Sequence, residues 1–99
     1  MITKRAGSTP GKLLVTFQLP SFIWVDTVHL AGDFNDWNTT SHALVRSGSG
    51  EAWEITLELD SGRTYEFRYR IDGKDWQNDW DADRHVPNAF GGENSVLET

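Results

Sequence analysis

Trp53-Glu-Ile-Thr-Leu-Glu-Leu-Asp-Ser-Gly-Arg-Thr-Tyr-Glu-Phe-Arg-Tyr-Arg-Ile71 carries the clearest pattern in this 99-residue chain. Trp53, Ile55, Leu57 and Leu59 alternate with Glu54, Thr56 and Glu58, and Tyr65, Phe67, Tyr69 and Ile71 alternate with Glu66, Arg68 and Arg70. Successive side chains of a strand point to opposite faces, so each run has one apolar face and one wet face. Ser61-Gly62 between them predicts a tight hairpin, with Glu54 and Glu58 facing Arg68 and Arg70 across it. Exposed pairs of that kind contribute about 0.2–1 kcal/mol each.

Downstream, Asp72-Gly73 is the strongest short-range turn signal in the chain. Residues 74–92 follow with no sustained period, yet they hold Trp76, Trp80 and Phe90. Loops beyond about 12–15 residues in compact domains are functional or disordered, and three large aromatics argue against disorder. Asn94 to Glu98 reads as a closing strand. Upstream, Val28-His-Leu-Ala-Gly-Asp-Phe-Asn-Asp-Trp37 is a short alternating strand that breaks at Gly32, where a residue without Cβ turns freely. Asp33, Asn35 and Asp36 supply turn chemistry, and Trp37 stands at the tip as either a core cap or a binding platform.

Leu13, Val15, Phe17 and Leu19 alternate in a further strand that Pro20 ends. Residues 22–25 form an apolar link whose Trp24 is expected to cover one end of the core, 42–46 a short strand, and 47–50 a turn. Residues 1–11 are small, polar and rich in Pro and Gly, and read as a flexible leader; 12–99 is then a single domain. Six or seven short strands without any helical period predict an all-β antiparallel sandwich.

Ninety-nine residues suffice for one two-layer core, and five Trp, five Phe and two Tyr let few residues fill it. The net charge of −6 disfavours nucleic acid and anionic membrane as partners, because binding either depends on Lys and Arg displacing counterions. No run of about 18 apolar residues and no apolar signal core is present, which points to a cytoplasmic protein. The absence of Cys excludes thiolate chemistry and Cys-ligated zinc.

Catalytic motifs fail one by one. A phosphate loop ending at Gly11-Lys12 lacks its first Gly, replaced by Ala6, and its Ser or Thr, replaced by Leu13. Asp79-Trp-Asp81-Ala-Asp83 has calcium-loop spacing, but Arg84 stands where that loop needs Gly and Phe90 where it needs a bidentate Glu. His29, His42 and His85 lack metal-ligand spacing, so no metal or cofactor is expected. Acidic pairs lie in turns where solvation keeps carboxylates ordinary, unlike a glycosidase dyad, so no enzyme activity is expected.

Aromatic rings in loops with amide, acid and guanidinium neighbours remain. Such a set suits a neutral polyhydroxylated ligand: the C–H face of a pyranose lies flat on an indole while hydroxyls pair with Arg, Asn and Asp. Each stacked ring buries about 100 Å² of apolar surface, near 2.5 kcal/mol. Two rings, less the entropy of ordering a flexible chain, imply a dissociation constant of order 10⁻⁵–10⁻³ M.

Gly32-Asp-Phe-Asn-Asp-Trp37, Tyr65-Glu-Phe-Arg-Tyr-Arg-Ile-Asp-Gly73, Trp76 and Phe90-Gly-Gly-Glu-Asn94 resemble, in order and spacing, the glycogen-binding domain of the AMP-activated protein kinase β subunit. The wider group is carbohydrate-binding module family 48, with the early-set domains of isoamylases and branching enzymes. The resemblance implies an immunoglobulin-like β-sandwich of early-set type that binds α-1,4-linked glucan without catalysis. By it, Trp37 and Trp76 correspond to the two stacking rings, Arg68 to the basic residue on sugar hydroxyls, Asn94 to its amide partner, and Phe90 to an apolar wedge. Arg68 stands where the kinase domain has Lys, one extra residue precedes Trp76, and Gly92 stands where that domain has Thr. The alternative reading is an interaction domain with a degenerate sugar site that docks on a glucan-metabolising enzyme. Trp80 has no counterpart and reads equally as a third platform or a core plug.

Overall fold

The computed structural model describes residues 2–20, 25–46, 52–89 and 91–99; the expected Trp24 cap, the 47–50 turn and Phe90 lie outside these. Among the described residues the strands are β1 (Ile2–Ala6), β2 (Lys12–Pro20), β3 (Val28–Gly32), β4 (Val45–Arg46), β5 (Ala52–Asp60), β6 (Thr64–Ile71), β7 (Asp75–Gln77), β8 (Arg84–Pro87) and β9 (Glu93–Glu98). A single 3₁₀ turn, Asp33–Asn35, follows β3 among the described residues. The strands form two antiparallel sheets, ordered β1-β2-β5-β4 and β3-β6-β9-β8, with β7 also on β6. This is an immunoglobulin-like β-sandwich of the early-set type.

The alternating residues read from the sequence meet between the sheets. Val15 and Phe17 of β2 stand opposite Leu57 and Ile55 of β5, and Leu30 of β3 stands opposite Tyr69 of β6. Val15, Phe17, Leu30, Phe67, Tyr69 and Leu97 are fully buried. Phe17 meets Phe67 across the sandwich, ring centroids 5.2 Å apart at 72°, the edge-to-face arrangement that aromatic quadrupoles favour.

β5 and β6 do not pair with each other. The Ser61-Gly62 turn does not close a hairpin, because β5 and β6 belong to different sheets. Glu54 bonds Gln18 of β2 at 3.0 Å instead of facing an arginine. Alternation fixes which face a strand buries but not whether its neighbour lies beside or opposite it, and placing β6 opposite covers the apolar faces of both. The crossing is pinned by Ser61 N–H to Gly11 O (2.9 Å) and by Thr99 Oγ1 to Asp60 O (2.7 Å).

The stretch read as a leader holds a strand, since Ile2–Ala6 pairs along its whole length with β2. Only Ile2 packs on the core; the rest is exposed, so no alternation marked it. Residues 74–92 likewise hold β7 and β8, three and four residues long, too short to display a period. Among the described residues no helix is long and apolar enough to cross a membrane, and no group of three or more His, Asp or Glu is placed to hold a metal ion.

Candidate functional site

The outer face of the second sheet carries the site, beginning with the turn after β3. Gly32 is in extended backbone (φ −177°), so its role is not the free turning expected from the sequence. A Cβ there would lie 2.5 Å from Glu66 O and 2.8 Å from Phe67 Cβ, which means that glycine is required for the close approach of the turn to β6. Asn35 holds the loop: its Oδ1 accepts Gly32 N–H (3.0 Å), and its Nδ2 donates to Leu30 O (2.9 Å) and approaches His42 Nδ1 (3.1 Å). Phe34 turns inward beside Phe17 and Tyr65. The reversal itself falls on Asp36 (φ 53°) and Trp37 (φ 59°). A left-handed Trp is a genuine outlier and stores strain of order 1–3 kcal/mol.

Trp76 arrives by a different route. In the β6–β7 hairpin, Asp72 (φ 52°) and Gly73 (φ 70°) are both left-handed, and Lys74 N–H bonds Ile71 O at 3.0 Å. The Asp72 carboxylate accepts the N–H groups of Asp26 (2.7 Å) and Thr27 (3.0 Å), which hold its pKa below the usual carboxylate range. Of Lys74-Asp75, the stretch with the extra residue, Lys74 lies in this turn and Asp75 opens β7, and Trp76 is placed opposite Arg70.

The two indoles meet with centroids 6.2 Å apart and planes at 68°. Trp37 is half-buried and Trp76 is 37% exposed. They open on a groove of about 510 Å³ lined also by Asp33, Glu66, Arg68, Pro87, Asn88, Ala89 and Asn94. Four of the five residues named from the sequence, Trp37, Arg68, Trp76 and Asn94, therefore share one groove; Phe90 falls outside the described residues.

Polar side chains in the groove are hydrogen-bonded to one another. Asn94 Nδ2 donates to Glu66 Oε1 at 3.1 Å, and Asn88 Nδ2 donates to Asn94 Oδ1 at 3.1 Å. Asn88 is fixed in turn, its Oδ1 accepting Gly92 N–H at 3.1 Å. Arg68 Nε is buried with no hydrogen-bond partner among the described residues, while its guanidinium carbon lies 5.5 Å from the Trp76 centroid.

Sequence reasoning missed Asp33, Glu66, Asn88 and Arg70. Asp33 looked like turn chemistry and the other two charges like a solvated strand face; the sheet pairing that brings them to the indoles is not written in local alternation. Trp53 is buried in the core, as expected. Trp80 is neither a core plug nor part of the groove: it is 89% exposed.

The family model for carbohydrate-binding module 48, the isoamylase N-terminal domain, matches residues 26–89. The chain belongs to this family. A 1,4-alpha-glucan branching enzyme of Myxococcus xanthus is 36% identical over 52 residues, covering 48% of this chain and 7% of that enzyme. The module is thus a small fraction of the length of that relative. Two crystal structures of the enterobactin esterase FES from Shigella flexneri, with enterobactin and with 2,3-di-hydroxy-N-benzoyl-serine, superpose with TM-scores of 0.79 and 0.77. Each is 12% identical, covering 99% of this chain and 32% of the esterase, a likeness of fold alone. Membership of the module family and the branching-enzyme relative support carbohydrate binding, of glucan in general.

Proposed function

We propose that this module binds α-1,4-linked glucan, such as glycogen or a starch-like chain, non-catalytically by stacking glucose units on Trp37 and Trp76. The observation that carries this reading is the pair of partly exposed indoles, 6.2 Å apart and set at 68°. An α-1,4 linkage curves the chain, so the faces of neighbouring glucose units turn relative to one another, and two platforms set at an angle suit that curvature. The flat ribbon of a β-1,4-linked glucan does not fit it. Arg68 and Asn94 donate to ring hydroxyls from the groove; Phe90, the apolar wedge that the resemblance implies, lies outside the described residues.

Two stacked rings support binding of order 10⁻⁵–10⁻³ M. Co-sedimentation with glycogen tests the proposal: wild type pellets with glycogen and not with cellulose, and the Trp37→Ala, Trp76→Ala double variant stays in solution. Wild type that remains in the supernatant contradicts it.

One observation favours the second reading, a domain that docks on a glucan-metabolising enzyme. Trp80 stands 89% exposed outside the groove, and Trp is among the residues enriched at interface hot spots. Capture of a glucan-metabolising enzyme that excess maltodextrin fails to compete would favour this reading.

A further inference from the structure

Arg70 was expected to face a glutamate across a hairpin that the fold does not form. It stands instead directly opposite Trp76 in the β6–β7 register. Its guanidinium carbon lies 4.7 Å from the Trp76 centroid, closer than the 5.5 Å of Arg68. The same guanidinium donates from Nη2 to Gly73 O at 3.2 Å. Gly73 is one of the two left-handed residues of the hairpin turn, so Arg70 links the ring to the turn that delivers it. Arg70 does not line the groove, whereas Arg68 does.

We propose that Arg70 is a positioning residue: clamped to the Gly73 carbonyl, its planar guanidinium supports the Trp76 indole and fixes that ring's angle to Trp37. The proposal rests on the glucan reading for its effect on affinity, and on geometry alone for its effect on the ring. Trp76 is on a strand of only three residues and is partly exposed, so little else in its own element restrains it. A planar fork can stack on an indole and donate in its own plane at once; an ammonium cannot do both. Arg70 therefore acts through Trp76 and not on the sugar.

The test uses the ¹⁵N-labelled chain as wild type, Arg70→Met and Arg70→Lys. Relaxation of the Trp76 indole N–H, measured without ligand, should show faster picosecond–nanosecond motion in Arg70→Met while the Trp37 indole is unchanged. Maltoheptaose affinity should fall about fivefold with little change in the melting temperature, as expected of an exposed cation–π contact. Arg70→Lys should behave as Arg70→Met. An equally ordered Trp76 indole in Arg70→Met, or wild-type affinity in either variant, overturns the proposal. Wild type that binds no maltoheptaose sinks the glucan reading, and the ring relaxation then decides the role of Arg70 by itself.

Discussion

Trp37 Nε1 donates to Asp33 Oδ1 at 3.1 Å, and the second oxygen of the same carboxylate accepts Glu66 N–H at 2.8 Å. One side chain thus ties the indole at the loop tip to the strand that carries Arg68. Asp33→Ala frees the ring and leaves a strand N–H without this partner. Maltoheptaose binding should weaken severalfold and stability should fall by about 1 kcal/mol. Asp33→Asn can accept at only one of the two positions and should fall between. Calorimetric titration with a parallel urea melt measures both effects, and unaltered affinity in Asp33→Ala would show that the carboxylate does not hold the ring.

The left-handed backbone of Trp37 (φ 59°) separates strain from binding. Trp37→Ala removes the ring but keeps a Cβ in that region, whereas Trp37→Gly removes both. The glycine variant should therefore be more stable than the alanine variant by about 1 kcal/mol, with sugar binding lost in both. Urea midpoints in the reverse order would contradict this account of the turn.

Much of this architecture is legible in the sequence, and the limits are physical. β2, β5 and β6 declare themselves because burial alternates along them, whereas β3 and β9 bury three consecutive residues each and show in the sequence as short runs next to turn residues. β1, β7 and β8 do not, since exposed or very short strands bury too little to impose a period. The assignment of β5 and β6 to a hairpin failed because a Ser-Gly turn reports a change of direction, not which sheet receives the chain. In the site, Trp37, Arg68, Trp76 and Asn94 came from motif resemblance. Arg70 beside Trp76, and the bond from Glu66 N–H that anchors Asp33, became visible only with the register, because the first pair lies across a hairpin and the second 33 residues apart.

Tyr69 is buried and its hydroxyl donates to Asp79 Oδ2 at 2.6 Å. Burial, together with the nearby Asp79 charge and this hydrogen bond, pushes the phenol well above its ordinary pKa. The unfolded phenol ionises near pH 10, so this contribution is complete below that pH and is lost as pH rises beyond it. Tyr69 should consequently ionise only as the fold opens, seen as a step in absorbance at 295 nm coincident with loss of near-ultraviolet dichroism. Tyr69→Phe, which removes a donor from a buried carboxylate, should cost about 1–3 kcal/mol.

On the acid side, Asp72 is held low by Thr27 and Asp26 N–H groups, and Asp60 by its bond to Lys12. Burial raises Asp83, but Lys4 Nζ and Glu98 N–H, each at 2.7 Å, outweigh it and the net shift is also downward. Depressed carboxylates contribute stability above their unfolded pKa and lose it as pH falls through the folded one, so the urea midpoint should drop below about pH 4. Asp72→Asn keeps the acceptor oxygen and tolerates φ 52°, and should flatten part of that drop. An unchanged acid limb in the variant would remove Asp72 from the explanation.

Tryptophan fluorescence during titration with maltoheptaose tests most directly whether the two indoles, set at an angle, form one glucan platform. The account predicts a saturable change in wild type with a midpoint of order 10⁻⁵–10⁻³ M, absent in Trp37→Ala and in Trp76→Ala alike, and no change with cellohexaose. No response of the wild type at millimolar maltoheptaose, or a full response retained by either single variant, would contradict it.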